Sequence, residues 1–459
     1  MMAVDRSRLP VSGAARPFRF PSIVRTTLGN GLDLRVVAHE AAPVVSMAAV
    51  VRGGSSADPA TRFGLAAFTA DLLDDGAGSL DGPGLADVFA RIGAEADIEV
   101  WPDATVVSIT TMARYAERAL ELLADLLMRP RFADEDVERV RGLRLDRLRQ
   151  MRAQAATLAD RAFTRAIYGG HPYGHPGIGH PAAVRATTAD EIRAFHRATC
   201  TPQATALVIA GAIAPSRAEV LAEQTLGAWR APAPAAESAL APVAVQTEPA
   251  ARGCVLVVPR PGAPQSELRI GQVSASRLTP DYHALLLWNA VLGGQFVSRL
   301  NLNLRQAKGY TYGVRSGFDF RRRRGPFSVH TSVQTTATAD AVSEVLREIT
   351  ELADARPVTA EELARAKAAV GLGYPRGFET AQQVARAVAQ LALHELGADH
   401  FEQFRARLNA VQLDALPAAA NRHVQPRALT AVVVGDPDAV GPQFAERGVT
   451  VEIVADEEE

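Results

Sequence analysis

Internal duplication constrains this chain most. Asp190, Pro202 and the apolar run Ala206–Gly211 recur as Asp414, Pro426 and Ala431–Gly435, at a constant offset of 224. The run Phe132-Ala133-Asp134-Glu135-Asp136-Val137 pairs with Val358-Thr359-Ala360-Glu361-Glu362-Leu363 at an offset of 226. Two matches at nearly one offset imply a duplicated domain. Between the copies lies an Ala/Pro-rich stretch, 231–251. Proline fixes φ and removes donors, so this stretch reads as a linker and not as a helix. The predicted organisation is therefore 1–230, a linker at 231–251, and 252–459.

Each half follows the same coarse order. Leu32-Asp33-Leu34-Arg35-Val36-Val37 alternates like a half-buried strand, and Val44 to Arg52 is almost continuously apolar up to Gly53-Gly54. A helix is predicted from about Phe63-Gly64. Strands follow at Ala96 to Val100 and Thr105 to Met112, then amphipathic helices at Tyr115 to Leu127 and Asp134 to Gln154. Strands and helices segregated in this way predict an α+β fold with mostly antiparallel sheets.

The formal net charge of −2 gives no global attraction for nucleic acid or an anionic membrane. Arg321–Arg324, before Gly325-Pro326, reads as a solvated hairpin tip between strands at Thr311–Phe320 and Phe327–Val333. Cys200 and Cys254 are too few and too far apart for a disulfide framework. Met1 to Phe20 has no apolar core of a secretory signal, and no apolar run is long enough to span a membrane, so a cytoplasmic location is expected. A misassigned start would leave a periplasmic location open.

Two segments carry chemistry. The first is the glycine-led helix Gly64-Leu65-Ala66-Ala67-Phe68-Thr69-Ala70-Asp71-Leu72-Leu73, followed downstream by Val137-Glu138-Arg139-Val140-Arg141-Gly142-Leu143-Arg144-Leu145-Asp146-Arg147. The second is Leu292-Gly293-Gly294-Gln295-Phe296-Val297-Ser298-Arg299-Leu300, followed by Leu304-Arg305-Gln306-Ala307-Lys308-Gly309-Tyr310-Thr311-Tyr312-Gly313-Val314. Phe296, Leu300 and Leu304 recur at helical spacing, and Gly309 is suited to a left-handed helix stop. From about Arg25 to Asp436 the chain resembles the pitrilysin/insulinase family of zinc peptidases. Their first helix carries H-x-x-E-H, two histidines on one face for Zn²⁺ and a glutamate as general base.

The resemblance implies that the zinc site is lost here. Ala67 and Asp71 stand where the histidines belong, Ala70 where the base belongs, and Arg147 where a distal ligand glutamate belongs. Val140 falls on an accessory glutamate. Other histidines do not replace the site: His171-Pro172-Tyr173-Gly174-His175 reads as a structural turn. His394 and His400 are six apart, on different helix faces.

The second half keeps the family's Arg/Tyr pair as Arg305 and Tyr312. By resemblance, Tyr312 stabilises an oxyanion and Arg305 orients a substrate carbonyl, both supplied in trans. The implied fold is two homologous halves forming a clam-like shell, each half of two related α/β sandwich units. The implied function is the non-catalytic subunit of a heterodimeric zinc peptidase, itself without cofactor. Its partner is a homologous subunit bearing H-x-x-E-H and the zinc. A peptide substrate binds as an added strand along a sheet edge, and a homodimer of the isolated chain is compatible with this reading. The alternative is an inactive scaffold or peptide-binding protein of the same fold.

Overall fold

A computed structural model describes residues 18–231 and 254–454. Apart from Ala231, the predicted linker lies outside the described residues, as does most of the N-terminal segment read for targeting.

The first half contains β1 (Ile23–Thr27), β2 (Asp33–Ala38), β3 (Val44–Arg52), a small hairpin of β4 (Gly76–Ala77) and β5 (Leu80–Asp81), then β6 (Glu95–Val100), β7 (Ala104–Met112) and β8 (Thr205–Gly211). Six of these form one sheet in the order β1-β2-β8-β3-β7-β6. The second half contains β9 (Val255–Pro259), β10 (Gln265–Val273), β11 (Val314–Phe318), β12 (Pro326–Gln334), β13 (Thr430–Gly435) and β14 (Val451–Ile453), in the order β11-β12-β10-β13-β9-β14. Each sheet is mostly antiparallel. In the first only β2 and β8 run parallel; in the second, β13 and β14 both run parallel to β9. Where the resemblance implies two related units per half, each half is built on a single six-stranded sheet with helices on both faces.

The strands explain this layering. Side chains alternate between sheet faces, so β3 sends Val45, Met47, Ala49 and Val51 to one side and Ala48 and Val50 to the other. Helices of its own half cover the first side. The second side is covered by the helix Ala381–Leu393, which belongs to the other half and places Val384, Ala385 and Val388 against Val37, Val208 and Ala210. The exchange is reciprocal. The helix Ala155–Tyr168 of the first half packs Ala159, Phe163 and Ile167 on Leu256, Val258, Val432 and Val434 of the second sheet. At about 25 cal/mol per Å² of apolar surface, neither sheet face could be left bare without large cost.

Two local expectations differ from the structure. Strand β11 begins at Val314, not Thr311, because Thr311 folds on itself. Its Oγ1 donates to the Gly313 carbonyl (3.0 Å) and accepts from the Gly313 N–H (3.1 Å). Such local bonds compete with a ladder. The arginine run does lie between β11 and β12, with Arg322–Arg324 exposed, but it is more than a solvated tip. The Arg321 guanidinium lies 4.7 Å from the Tyr173 ring centre, the Arg322 N–H donates to Asp103, and the Arg324 carbonyl accepts from the Tyr168 hydroxyl. The run clamps the second half onto the first.

Candidate functional site

The candidate centre begins at Asp58. Its buried carboxylate accepts from the N–H groups of Gly64 (2.6 Å) and Ala66 (2.7 Å), which open the short helix Leu65–Ala70. His175 lies 3.1 Å from the same carboxylate through Nε2 and stacks on Phe63, ring centres 4.1 Å apart. A Cβ on Gly64 would stand 2.6 Å from the Ile178 carbonyl oxygen, so only glycine allows this close approach of two backbones. The His171–His175 turn thus braces the helix.

At the end of that helix, Asp71 pairs with Arg144, which reaches in from the helix Asp134–Arg152. Arg144 is 4% exposed, donates a second bond to the Ile178 carbonyl (2.7 Å), and lies 5.4 Å from the Phe68 ring centre. Burial pulls its pKa below the usual arginine range, and Asp71 opposes that shift. Arg144 occupies a core position between Val140 and Leu148, whereas Arg147 is exposed. A charge on an otherwise apolar helix face was the legible signal of this pair, and reasoning from ligand positions alone passes over it.

These residues do not fit zinc. Ala67 and Ala70 carry no donor atom, the Asp71 carboxylate is committed to a guanidinium, and Arg147 is a cation. Among the described residues, no group of three His, Cys, Asp or Glu side chains could hold a metal ion. His394 follows the end of one helix and His400 opens another, Ala381–Leu393 and His400–Ala410, so they share no helix face.

In the second half, Asn301–Ala307 forms a π-helix, with the Lys308 N–H bonded to the Asn303 carbonyl five residues back (2.9 Å). Gly309 stops it at φ +66°, the predicted left-handed conformation. Asn301 fixes the approach of β11. Its Nδ2 donates to the Val314 carbonyl (2.8 Å) and its Oδ1 accepts from the Val314 N–H (3.1 Å). Of the three residues at helical spacing, Leu300 and Leu304 are buried, whereas Phe296 is 72% exposed because regular helix starts only after it. The Arg305 guanidinium lies 4.1 Å from the centre of the Phe296 ring. Tyr312 precedes β11 and is 94% exposed. Val297 and Leu302 extend the same apolar segment, at 63% and 44% exposure.

No helix among the described residues is long and apolar enough to cross a membrane.

Comparison with known proteins agrees with this architecture. The family described as insulinase (peptidase family M16) matches residues 35–180, and the one described as peptidase M16 inactive domain matches residues 186–370. An uncharacterized zinc protease of Mycobacterium leprae is 27% identical over 383 residues, covering 82% of this chain and 83% of that protein. Among solved structures, a peptidase M16 inactive domain from Pseudomonas fluorescens superposes with a TM-score of 0.82 at 24% identity, covering 90% of this chain and 98% of that one. A protease from Helicobacter pylori gives 0.83 at 17% identity, covering 90% and 100%. These two structures share the fold. With both family matches following one another along the duplicated fold, the chain belongs to the insulinase/pitrilysin family, peptidase family M16.

Proposed function

We propose that this chain is the non-catalytic subunit of a heterodimeric zinc peptidase and lends Arg305 and Tyr312 to a homologous H-x-x-E-H partner. One observation carries the reading: Tyr312 stands 94% exposed, and Phe296, Val297 and Leu302 of the segment that precedes it in sequence stand exposed at 72%, 63% and 44%. A large aromatic side chain without a place in its own core marks a surface meant for something else. The partner would supply the zinc and its hydrolytic chemistry. From this chain, the Tyr312 hydroxyl donates a hydrogen bond to the oxygen on which negative charge develops. Arg305 holds a carbonyl with its fork of donors. Strand β11, at the open edge of its sheet, starts two residues after Tyr312 and suits an added peptide strand. A cytoplasmic location belongs to the same proposal.

The test is steady-state peptide cleavage by the reconstituted pair, with assembly followed by size-exclusion chromatography. Tyr312→Phe removes one hydroxyl and almost no volume. By comparison with loss of one oxyanion donor, kcat falls about 100- to 1,000-fold with little change in KM. Unchanged kcat in an intact Tyr312→Phe complex would rule out the trans-acting role and leave the scaffold alternative.

A further inference from the structure

One face of the second sheet is only partly covered. The register sets Arg315 of β11 opposite His330 of β12, and His330 opposite Arg269 of β10, so the three side chains form a row on that face. The helix Ala155–Tyr168 packs on the same face over β9 and β13 and reaches β10 through Asp160, which pairs with Arg269 (2.5 Å). Beyond β10 the face is open, a groove of about 530 Å³ along β11 and β12. Gly313, Gly317, Ser328 and Ser332 line it beside Arg315 and His330. A Cβ on Gly317 would meet nothing within 4 Å, so the floor around Arg315 is clear.

The other charges of the groove are matched. Arg269 is buried and holds both Asp160 and Glu267, and Asp319 accepts from Arg321 (2.8 Å). Desolvation first, then Arg269 against Asp160, and Arg315 last, lower the His330 pKa, so its ring is neutral beside a fixed cation. Arg315 differs. It is exposed, and among the described residues no carboxylate or hydrogen-bond acceptor meets its guanidinium. The groove also begins at Gly313, the residue after Tyr312. Three residues of chain, at most about 10 Å, separate Tyr312 from Arg315, and an extended substrate covers that span in about three residues.

We propose that this groove receives the substrate peptide to one side of its scissile bond, and that Arg315 selects an aspartate or glutamate side chain about three residues from that bond. The inference rests on the proposed function only in placing the bond at Tyr312. A guanidinium takes a carboxylate through two parallel charge-assisted bonds, and the glycines and serines around Arg315 leave room for the stem that carries it. A lysine at the same substrate position would meet a like charge.

The experiment is fluorescence anisotropy with the full chain and the peptide Thr-Ser-Thr-Glu-Thr-Ser-Thr, together with its forms bearing Gln or Lys at the centre. Each carries the label at its N-terminus and an amide at its C-terminus, so the central side chain supplies the only carboxylate. The Glu form should bind at least about fivefold tighter than the Lys form, and added salt should narrow the difference. Arg315→Gln should level the three peptides and Arg315→Glu should favour the Lys form, with folding of both variants checked by their urea midpoints. No binding of any peptide, equal binding of all three, or a Glu preference that survives in folded Arg315→Gln overturns the proposal. Tyr312→Phe separates this from the proposed function, because it should keep the Glu preference whatever happens to kcat. Normal kcat in the Tyr312→Phe complex with the preference intact removes the trans-acting role and leaves the groove's choice of an acidic peptide standing. Lowered kcat with no preference removes the groove alone.

Discussion

Arg144 donates to the carboxylate of Asp71, across the 73 residues that separate two helices, and so an ion pair occupies the end of the helix on which the sequence resemblance expects a metal ligand. The pair is asymmetric: the arginine is buried while the Asp71 side chain is 43% exposed. Removing the aspartate leaves a buried guanidinium with one carbonyl partner. Asp71→Ala is expected to destabilise the protein by about 1–3 kcal/mol. The double change Asp71→Ala/Arg144→Leu should recover most of that, because an apolar replacement of both partners restores a satisfied core. Urea denaturation of the three proteins checks this. A double variant no better than the single one would show that the pair is not the source of the loss.

The same pair governs any attempt to rebuild a metal site. Ala67→His, Ala70→Glu and Asp71→His together restore the helix motif but strand Arg144 and keep Arg147 as a second cation. Weak zinc binding is expected. Adding Arg147→Glu and Arg144→Val should tighten it by at least tenfold, through one new ligand and one lost repulsion. Isothermal titration with zinc measures the difference. Equal affinity with and without the two arginine changes would mean that the distal helix is misaligned with the motif helix.

Phe296 holds Arg305 by stacking alone, so its role can be separated from that of the arginine. An exposed cation–π contact is worth about 0.5–1 kcal/mol. Phe296→Ala is therefore expected to lower kcat/KM of the reconstituted peptidase a few-fold, and Phe296→Tyr to retain it. An effect as large as that of Arg305→Ala would show that Phe296 itself meets substrate or partner.

Acid should loosen the second half. Arg277 Nη2 donates to Nε2 of His400 (2.9 Å), which must then be neutral. Burial first, then Arg277, His283 and Arg407 against the weaker pull of Asp399, holds His400 down to about 4; burial and Arg277 also hold His394 at about 4. In the unfolded chain both titrate near about 6.5. Between these values the unfolded state binds more protons, so stability is full above about pH 6.5 and falls as the pH drops towards about 4. The urea midpoint should be lower at about pH 5 than at about pH 7, and His400→Gln, which still accepts from Arg277, should narrow the gap. A gap that His400→Gln leaves unchanged would place the acid sensitivity elsewhere.

The exchanged helices predict that neither half stands alone. Residues 1–231 expressed without the rest would expose Val37, Ala48, Val50, Val208 and Ala210, the face that Ala381–Leu393 covers. Aggregation of each half, and a soluble complex on co-expression, are expected by light scattering and size-exclusion chromatography. A soluble monomeric first half would mean that the exchange contributes little.

Much of this molecule was legible in the residues themselves. A constant offset between matched segments requires two similar halves, and the observed pairs of Thr205–Gly211 with Thr430–Gly435 and of Asp134–Arg152 with Ala360–Gly373 follow it. Strand β3 was read to the residue because an almost continuously apolar run ending in glycines has few other uses. The absence of donor atoms at Ala67 and Ala70 is a property of side-chain chemistry and needs no coordinates. What the sequence could not supply was every relation between distant segments. Local periodicity shows that a face is apolar but not which helix will cover it, so the exchange of Ala155–Tyr168 and Ala381–Leu393 was invisible. Helical spacing set Phe296 in line with Leu300 and Leu304, and only the late start of the helix turned it outward under Arg305. Arg144 is marked in the sequence only as a charge on an apolar helix face, and folding alone brought Asp71 to it. Sequence specifies patterns along a line, while pairing energies depend on which groups share a desolvated space, and that is decided only when the chain closes on itself.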